Sequence, residues 1–240
     1  MIDTHAHLDL CEGAAEDLVD AAAAAGVGRI LTVGREQALG FADRFASVWA
    51  IVGIHPHEAG EAGDIDALRP LLDHPRAVAV GECGLDFFRD YAPRADQVRV
   101  FEAQIGLANE TGLPLVIHTR AADDDTFPML EAAEVPVVLH CFSSVDRLDE
   151  AIERGYYCSF AGNVAFAKAG DLRAAAARVP AERILAETDC PYLAPPPHRG
   201  RPNQPAYAAI TLGVLARERG VSEAALGEQI DRNADRLFGL

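Results

Sequence analysis

The sequence predicts a single (β/α)8 TIM barrel, an α/β fold built by residues 1–240 as one domain. Three observations predict it. Short apolar runs alternate with helix-like stretches from end to end, the runs number eight, and five of them close on a His, Glu or Asp. Continuous hydrophobic strands separated by helices indicate a parallel sheet covered on its outer face. A closed barrel of this kind usually takes about 250 residues. The metal-type residues would then gather at the C-terminal rim, where barrel enzymes carry their chemistry.

The first strand is expected at 2–7, where period-two alternation points His5 and His7 the same way. A helix at 14–25 follows, and its Ala-rich end reads as a tightly packed face. Strand 28–33 leads to helix 38–46, and strand 48–54 ends in Gly53-Ile54-His55-Pro56-His57 before a helix at 62–73. Strand 76–82 closes on Glu82, helix 93–111 connects it to strand 113–118, and that strand closes on His118. Helix 124–133, strand 136–141 with His140, helix 145–154, strand 156–160 and helix 169–178 come next. The eighth strand, 183–188, runs into Asp189, and two helices at 204–219 and 222–238 complete the chain. Between Pro191 and Pro205 lies the longest irregular piece, stiffened by its prolines. It leaves directly after Asp189, so it must pass over the mouth.

Half the residues are hydrophobic, enough for a sizeable core, and the net charge is −16. That charge argues against a broad duplex-binding face, because non-specific nucleic-acid affinity comes from Lys and Arg at phosphates. Bound cations reverse the sign locally, so a phosphodiester at a metal centre stays open. No apolar run reaches the roughly 18 residues of a membrane span, and the start lacks the basic and apolar regions of a signal peptide. Five cysteines with no CxxC pair argue against a disulfide framework. The expectation is a cytoplasmic enzyme.

Six side chains are candidate metal ligands: His5, His7, Glu82, His118, His140 and Asp189. Imidazole and carboxylate donors in this mix suit divalent metals without thiolate ligands. A Glu ending a buried strand is costly unless paired or coordinated, so Glu82 either bridges two metals or meets an arginine inside the barrel. Glu187, one layer below Asp189, is expected to orient a ligand. His55 or His57 faces the site; hydrogen-bonding support, a leaving-group contact and a structural role all stay open for them. Cys83, Cys141 and Cys190 each follow a candidate ligand, and alternation turns them away as packing residues. Arg120 either reaches the mouth or sits solvated on the rim, while Arg199 and Arg201 on the proline loop suit a phosphate contact.

Together the motifs resemble the TatD family of metal-dependent deoxyribonucleases. The matching pieces are Asp3-Thr4-His5-Ala6-His7-Leu8-Asp9, Gly53-Ile54-His55-Pro56-His57, Gly81-Glu82-Cys83-Gly84-Leu85-Asp86, Ile117-His118-Thr119-Arg120, His140-Cys141-Phe142-Ser143, Glu187-Thr188-Asp189-Cys190-Pro191-Tyr192-Leu193 and Arg199-Gly200-Arg201-Pro202-Asn203. The resemblance implies that the six ligands hold two or three divalent ions, magnesium or manganese for activity, with zinc also compatible. It implies 3′–5′ trimming of single-stranded DNA or RNA ends by a metal-activated hydroxide, with no membrane and no obligate protein partner. Glu82, Asp189 and His57 would be the catalytic residues, and Arg120, Arg199, Arg201 and Asn203 the substrate contacts. One departure stands out: the family's glycine after His-x-Phe-Ser is Ser144 here, expected to narrow the mouth. Rival readings are an aminoacyl-tRNA deacylase, an amidohydrolase-type ester or amide hydrolase, and a trinuclear phosphoesterase of the polymerase-and-histidinol-phosphatase type. Many amidohydrolases bridge their metals with a carboxylated lysine, but the only lysine, Lys168, follows the seventh strand, so the bridge falls to Glu82. The phosphoesterase type tends to close with Asp-x-His, where this chain has Asp189-Cys190-Pro191. A non-catalytic metal-binding barrel would be expected to have lost ligands, and all six are present.

Overall fold

Each apolar run becomes a strand covered on both faces, which is why the runs are continuous and not alternating. Every residue of β1 (Ile2–Ala6) and of β4 (Ala77–Asp86) is buried. The computed structural model describes residues 1–240. The remaining strands are β2 (Arg29–Gly34), β3 (Val48–Val52), β5 (Leu115–Arg120), β6 (Val137–Leu139), β7 (Tyr157–Phe160) and β8 (Ile184–Ala186). They pair in parallel in chain order from β1 to β8. Helices α1 (Ala15–Ala24), α2 (Glu36–Arg44), α3 (Arg69–Leu72), α4 (Arg94–Thr111), α5 (Asp123–Met129), α6 (Leu148–Glu153) and α7 (Gly170–Arg178) lie in the connections. Two more, α8 (Ala208–Arg219) and α9 (Glu223–Phe238), follow β8. One large apolar cluster joins the strands to most of the helices, and a smaller one packs Leu8, Leu18, Ala22, Val27 and Ala208 around Cys190. No helix is long and apolar enough to cross a membrane.

The cylinder closes between β8 and β1, beyond the end of β8. Ala6 bridges Cys190 in parallel, the Asp189 N–H donates to His5 O at 2.9 Å, and the His7 N–H donates to Cys190 O at 2.9 Å. A fully buried carboxyl reinforces this seam. Asp3 Oδ1 accepts the backbone N–H groups of Thr188 at 2.9 Å and His5 at 3.2 Å, and Oδ2 accepts the Thr188 hydroxyl at 2.6 Å. Thr4 Oγ1 donates to Ala186 O at 3.1 Å. Burial pushes the Asp3 carboxyl up to about 8, against the pull of its hydrogen bonds from Thr188 and His5.

Four expected elements end elsewhere. Where a helix is expected at 62–73 the chain forms one 3-10 turn, Ile65–Leu68, running into the single turn of α3, and a further 3-10 turn, Pro56–Glu61, precedes it. Gly60 and Gly63 favour no helix, and Pro70 is tolerated only in the first turn. β4 continues four residues past Glu82, because Cys83 and Leu85 are fully buried and pair with β5. β6 and β8 stop at Leu139 and Ala186, so His140, Glu187 and Asp189 stand beyond their strands.

The seam carries a pH prediction. Asp3 titrates higher folded than unfolded, so the unfolded chain releases its proton first as pH rises. Its contribution is fully present below about pH 4 and lost towards about pH 8. Between about pH 5 and 6, Asp3 should remove up to about 1.4 kcal/mol of the metal-free protein's stability per pH unit, against the opposite contribution of His5 and His57, whose imidazoles are lowered. Urea denaturation should show the wild type losing this much more stability per pH unit than Asp3→Asn; equal slopes would mean that Asp3 is ionised when folded.

Candidate metal centre

Glu82 is aimed by a local irregularity. Gly81 pairs with Val116 and Cys83 with Ile117, so Glu82 is an extra residue without a partner on β5. A bulge of this kind bends the strand and re-aims a side chain. The flanking glycines are required by the close approach of β5. At Gly84 (φ +133°) a Cβ would lie 2.0 Å from His118 O, and at Gly81 (φ +152°) 2.6 Å from Val116 O.

Five imidazoles converge on this carboxylate. Glu82 Oε1 lies 2.7 Å from His118 Nδ1, 2.9 Å from His140 Nε2 and 3.4 Å from His55 Nε2. Its Oε2 lies 3.2 Å from His5 Nε2 and 3.5 Å from His7 Nε2. Asp189 Oδ1 is 3.4 Å from His7 Nε2. Glu82 has no lysine or arginine partner, so the alternative of an arginine inside the barrel is not met. Three sets of donors are close enough to share an ion: His5, His140 and Asp189; His5, His7 and Glu82; His55, Glu82 and His118.

The charges respond to one another. Burial disfavours an ionised Glu82, yet the imidazoles of His140, His55 and His5 and the hydrogen bond from His118 hold it well below the usual carboxylate range. Burial likewise opposes charge on His140, and Glu82 and Glu187 outweigh it, raising that imidazole well above its ordinary value. His5 goes the other way, lowered by burial and by the charge of His140. Divalent cations fit this donor set. It offers nitrogen and oxygen atoms only, it carries a buried negative charge that no lysine or arginine offsets, and the fully buried His5 Nδ1 has no hydrogen-bond partner.

Behind the imidazoles sit carboxylates that orient them. His140 Nδ1 donates to Glu187 Oε1 at 2.9 Å, which turns its Nε2 towards Glu82, and Glu187 Oε1 also accepts the Cys141 N–H at 2.9 Å. Asp86 plays the same part opposite: Oδ2 lies 2.8 Å from His57 Nε2 and 3.3 Å from His118 Nε2. Asp86 received no role from the sequence. The signal was its spacing, four residues after Glu82 on the same strand, which puts both on one face.

A cavity of about 910 Å³ opens over the cluster. His57 and Arg120 line it, as do Arg35 and Arg89, which sequence reasoning passed over. His55 joins the donor sets, while His57 is drawn aside to Asp86. Burial and the neighbouring His55 lower the His57 imidazole. Arg199 and Arg201 do not line the cavity, and the Arg199 guanidinium lies 3.7 Å from the centre of the Phe166 ring. Asn203 is buried, its amide N–H groups donating to Thr188 O at 2.8 Å and Tyr192 O at 2.6 Å and its Oδ1 accepting from Gln204. It therefore grips the loop after Asp189, and it does not line the cavity. Ser144 does not narrow the mouth; its hydroxyl donates to Asp123 at 2.8 Å, and Ser143 lines the cavity instead. Cys83 and Cys190 are fully buried, but Cys141 lines the cavity. Strand alternation does not reach it, because its φ is +44° beyond the end of β6. Burial and the charges of Asp189 and Glu187 push its thiol well above the ordinary range.

A family profile described as TatD related DNase matches residues 2–239. The chain belongs to this family. The metal-dependent hydrolase TatD of Mycobacterium tuberculosis is 39% identical, over 100% of this chain and 98% of its own. The 3′-5′ ssDNA/RNA exonuclease TatD of Citrobacter koseri is 37% identical, over 94% and 93%. The crystal structure of YjjV, a TatD homologue from Escherichia coli, superposes with a TM-score of 0.91 at 28% identity, covering 100% of this chain and 98% of that one. The barrel and its cluster of metal-type donors thus belong to a TatD metal-dependent hydrolase.

Two substitutions test how this TatD-family centre is built. Glu82→Gln keeps the size and removes the charge that five imidazoles share. Elemental analysis should show at least one divalent ion fewer per chain; full metal content would make Glu82 purely structural. Gly84→Ala places a methyl group against β5 at a positive φ and should cost at least about 2 kcal/mol in denaturant stability.

Proposed function

We propose that this chain is a 3′–5′ exonuclease on single-stranded DNA that also accepts RNA. Residues 1–240 would act as one hydrolase unit with two or three divalent ions, magnesium or manganese in use and zinc compatible. The observation that carries the reading is one buried carboxylate shared by five imidazoles beneath a cavity that three arginines line. The exonuclease name of the Citrobacter koseri relative supports the substrate class. Five unpaired cysteines support a reducing compartment, and we place the enzyme in the cytoplasm.

When bound, the cations supply positive charge for the phosphate and a water that ionises near neutral pH. His5, His7, His55, Glu82, His118, His140 and Asp189 would hold them, with Glu187 and Asp86 fixing the rings of His140 and His118. Asp189 pairs with His7 through Oδ1 at 3.4 Å, and its carboxylate would take a proton from the attacking water. His57, steadied by Asp86, stands at the cavity wall as the contact for the leaving sugar oxygen. Arg35, Arg89 and Arg120 replace Arg199 and Arg201 as the groups that meet the non-bridging oxygens, since guanidinium matches phosphate in shape and charge.

End-labelled single-stranded DNA and RNA, assayed with magnesium, manganese or zinc beside a panel of neutral esters, test the reading. Arg120→Ala should lower the specificity constant for oligonucleotides about ten- to a hundredfold, the effect of losing about 1.5–3 kcal/mol of charged hydrogen bonding. The loss on a neutral ester should be smaller. Turnover of esters with no oligonucleotide cleavage would replace the nuclease reading with that of an amidohydrolase-type enzyme.

A further inference from the structure

The large apolar side chains that this fold leaves most open to solvent gather at one place. Phe88 is 61% and Tyr91 66% exposed, Leu10 and Tyr192 are also exposed, and Val221, between α8 and α9, is the one exposed large apolar side chain outside this group. Leu10, Tyr91 and Tyr192 line the cavity, and Phe88 carries the cavity-lining Arg120 with its guanidinium 4.1 Å from the ring centre. Exposed apolar surface concentrated at one mouth marks a binding face.

Phe88, Arg89 and Tyr91 share the loop between β4 and α4, and that loop is held from below. Asp86 Oδ1 accepts the backbone N–H groups of Phe88 and Arg89, each at 2.9 Å. The buried amide of Gln97 accepts the Asp86 N–H at 2.8 Å and donates to Ala92 O at 3.0 Å. The backbone is thereby fixed while the three side chains project outward. Tyr91 stands edge-on to His57 with ring centres 4.7 Å apart, which sets it at the border of the imidazole cluster. Arg89 lies 5.7 Å from the Phe88 ring centre and 6.0 Å from that of Tyr91. Of the three cavity arginines, Arg35 pairs with Glu58 at 3.5 Å, whereas Arg89 and Arg120 form no ion pair.

We propose that this loop is a subsite for unpaired nucleotides, with Phe88 and Tyr91 stacking on the bases of a single strand and Arg89 and Arg120 holding its phosphates. The inference rests on the nuclease reading and extends it from the scissile bond to its neighbours. Aromatic faces accept any base, so the subsite tolerates sequence. Bases inside a duplex are already stacked on one another and hidden from the rings, so the same loop selects single strands.

Manganese-loaded wild type and the Phe88→Ala/Tyr91→Ala double variant are compared on 5′-labelled single-stranded DNA and on the same strand with abasic sites at its last few 3′ positions. For the wild type, abasic sites should raise KM roughly tenfold, the scale of one stacked base. The double variant should show a similar rise on normal DNA, in KM more than in kcat, and little further rise on the abasic strand, because the rings and bases form one interaction. Equal metal content and melting temperature keep the comparison between folded enzymes. Indifference of the wild type to abasic sites, or additive effects of variant and substrate, would overturn the subsite and leave the nuclease reading standing. A wild type that trims no single strand at all would overturn both.

Discussion

A carboxylate buried among imidazoles is the constraint on which the rest of the structure depends. Removing the Glu82 charge from water is costly unless nearby groups compensate it. Here the compensation comes from five histidines and from no lysine or arginine. The choice matters chemically, because imidazole, unlike guanidinium, can give up its proton. Groups that neutralise Glu82 when protonated become nitrogen donors to a cation when they are not. The arrangement requires several chain segments to deliver their residues at one height, and a closed parallel barrel does this by its geometry. The bulge at Glu82 and the bare glycines on either side let β4 and β5 approach closely enough for His118 to reach the shared carboxylate.

The carboxylates behind the imidazoles tie the cluster to the loops above it. Glu187 fixes His140 and takes the N–H of Cys141 with the same oxygen, so ring and following loop move together. Asp86 does likewise, holding His57 and His118 with one oxygen and the backbone of Phe88 and Arg89 with the other. Asn203 reaches Thr188 O and Tyr192 O and fixes the segment on both sides of Asp189. A change in any of these carboxylates or amides alters both the chemistry below and the shape of the mouth. The barrel seam belongs to the same system, since Asp3 bonds to the backbone of His5, itself a candidate ligand, and of Thr188, the neighbour of Asp189.

Overall acidity and local function are compatible because charge is partitioned. The chain carries a net −16, yet its cavity is lined both by donors that fit cations and by Arg35, Arg89 and Arg120. Cations and a polyanion can therefore meet in one cavity without a broadly basic surface.

The sequence by itself determined the barrel, the order of its strands and the gathering of His5, His7, Glu82, His118, His140 and Asp189 at one end. Apolar runs and their closing residues are local signals, and a closed parallel sheet has only one rim for them. Tertiary structure alone decided which of His55 and His57 enters the donor sets, that Asp86 supports the rings and the β4–α4 loop, and that Cys141 faces the cavity. It also decided that Arg35 and Arg89 line the mouth while Arg199 packs on Phe166 and Asn203 binds backbone. The physical reason is the reach of periodicity. Alternation predicts side-chain direction only while the backbone stays extended, and at Cys141 and Asp189, with φ of +44° and +54°, it does not. Past the strand ends, direction is set by contacts between residues far apart in the chain, which no local pattern records.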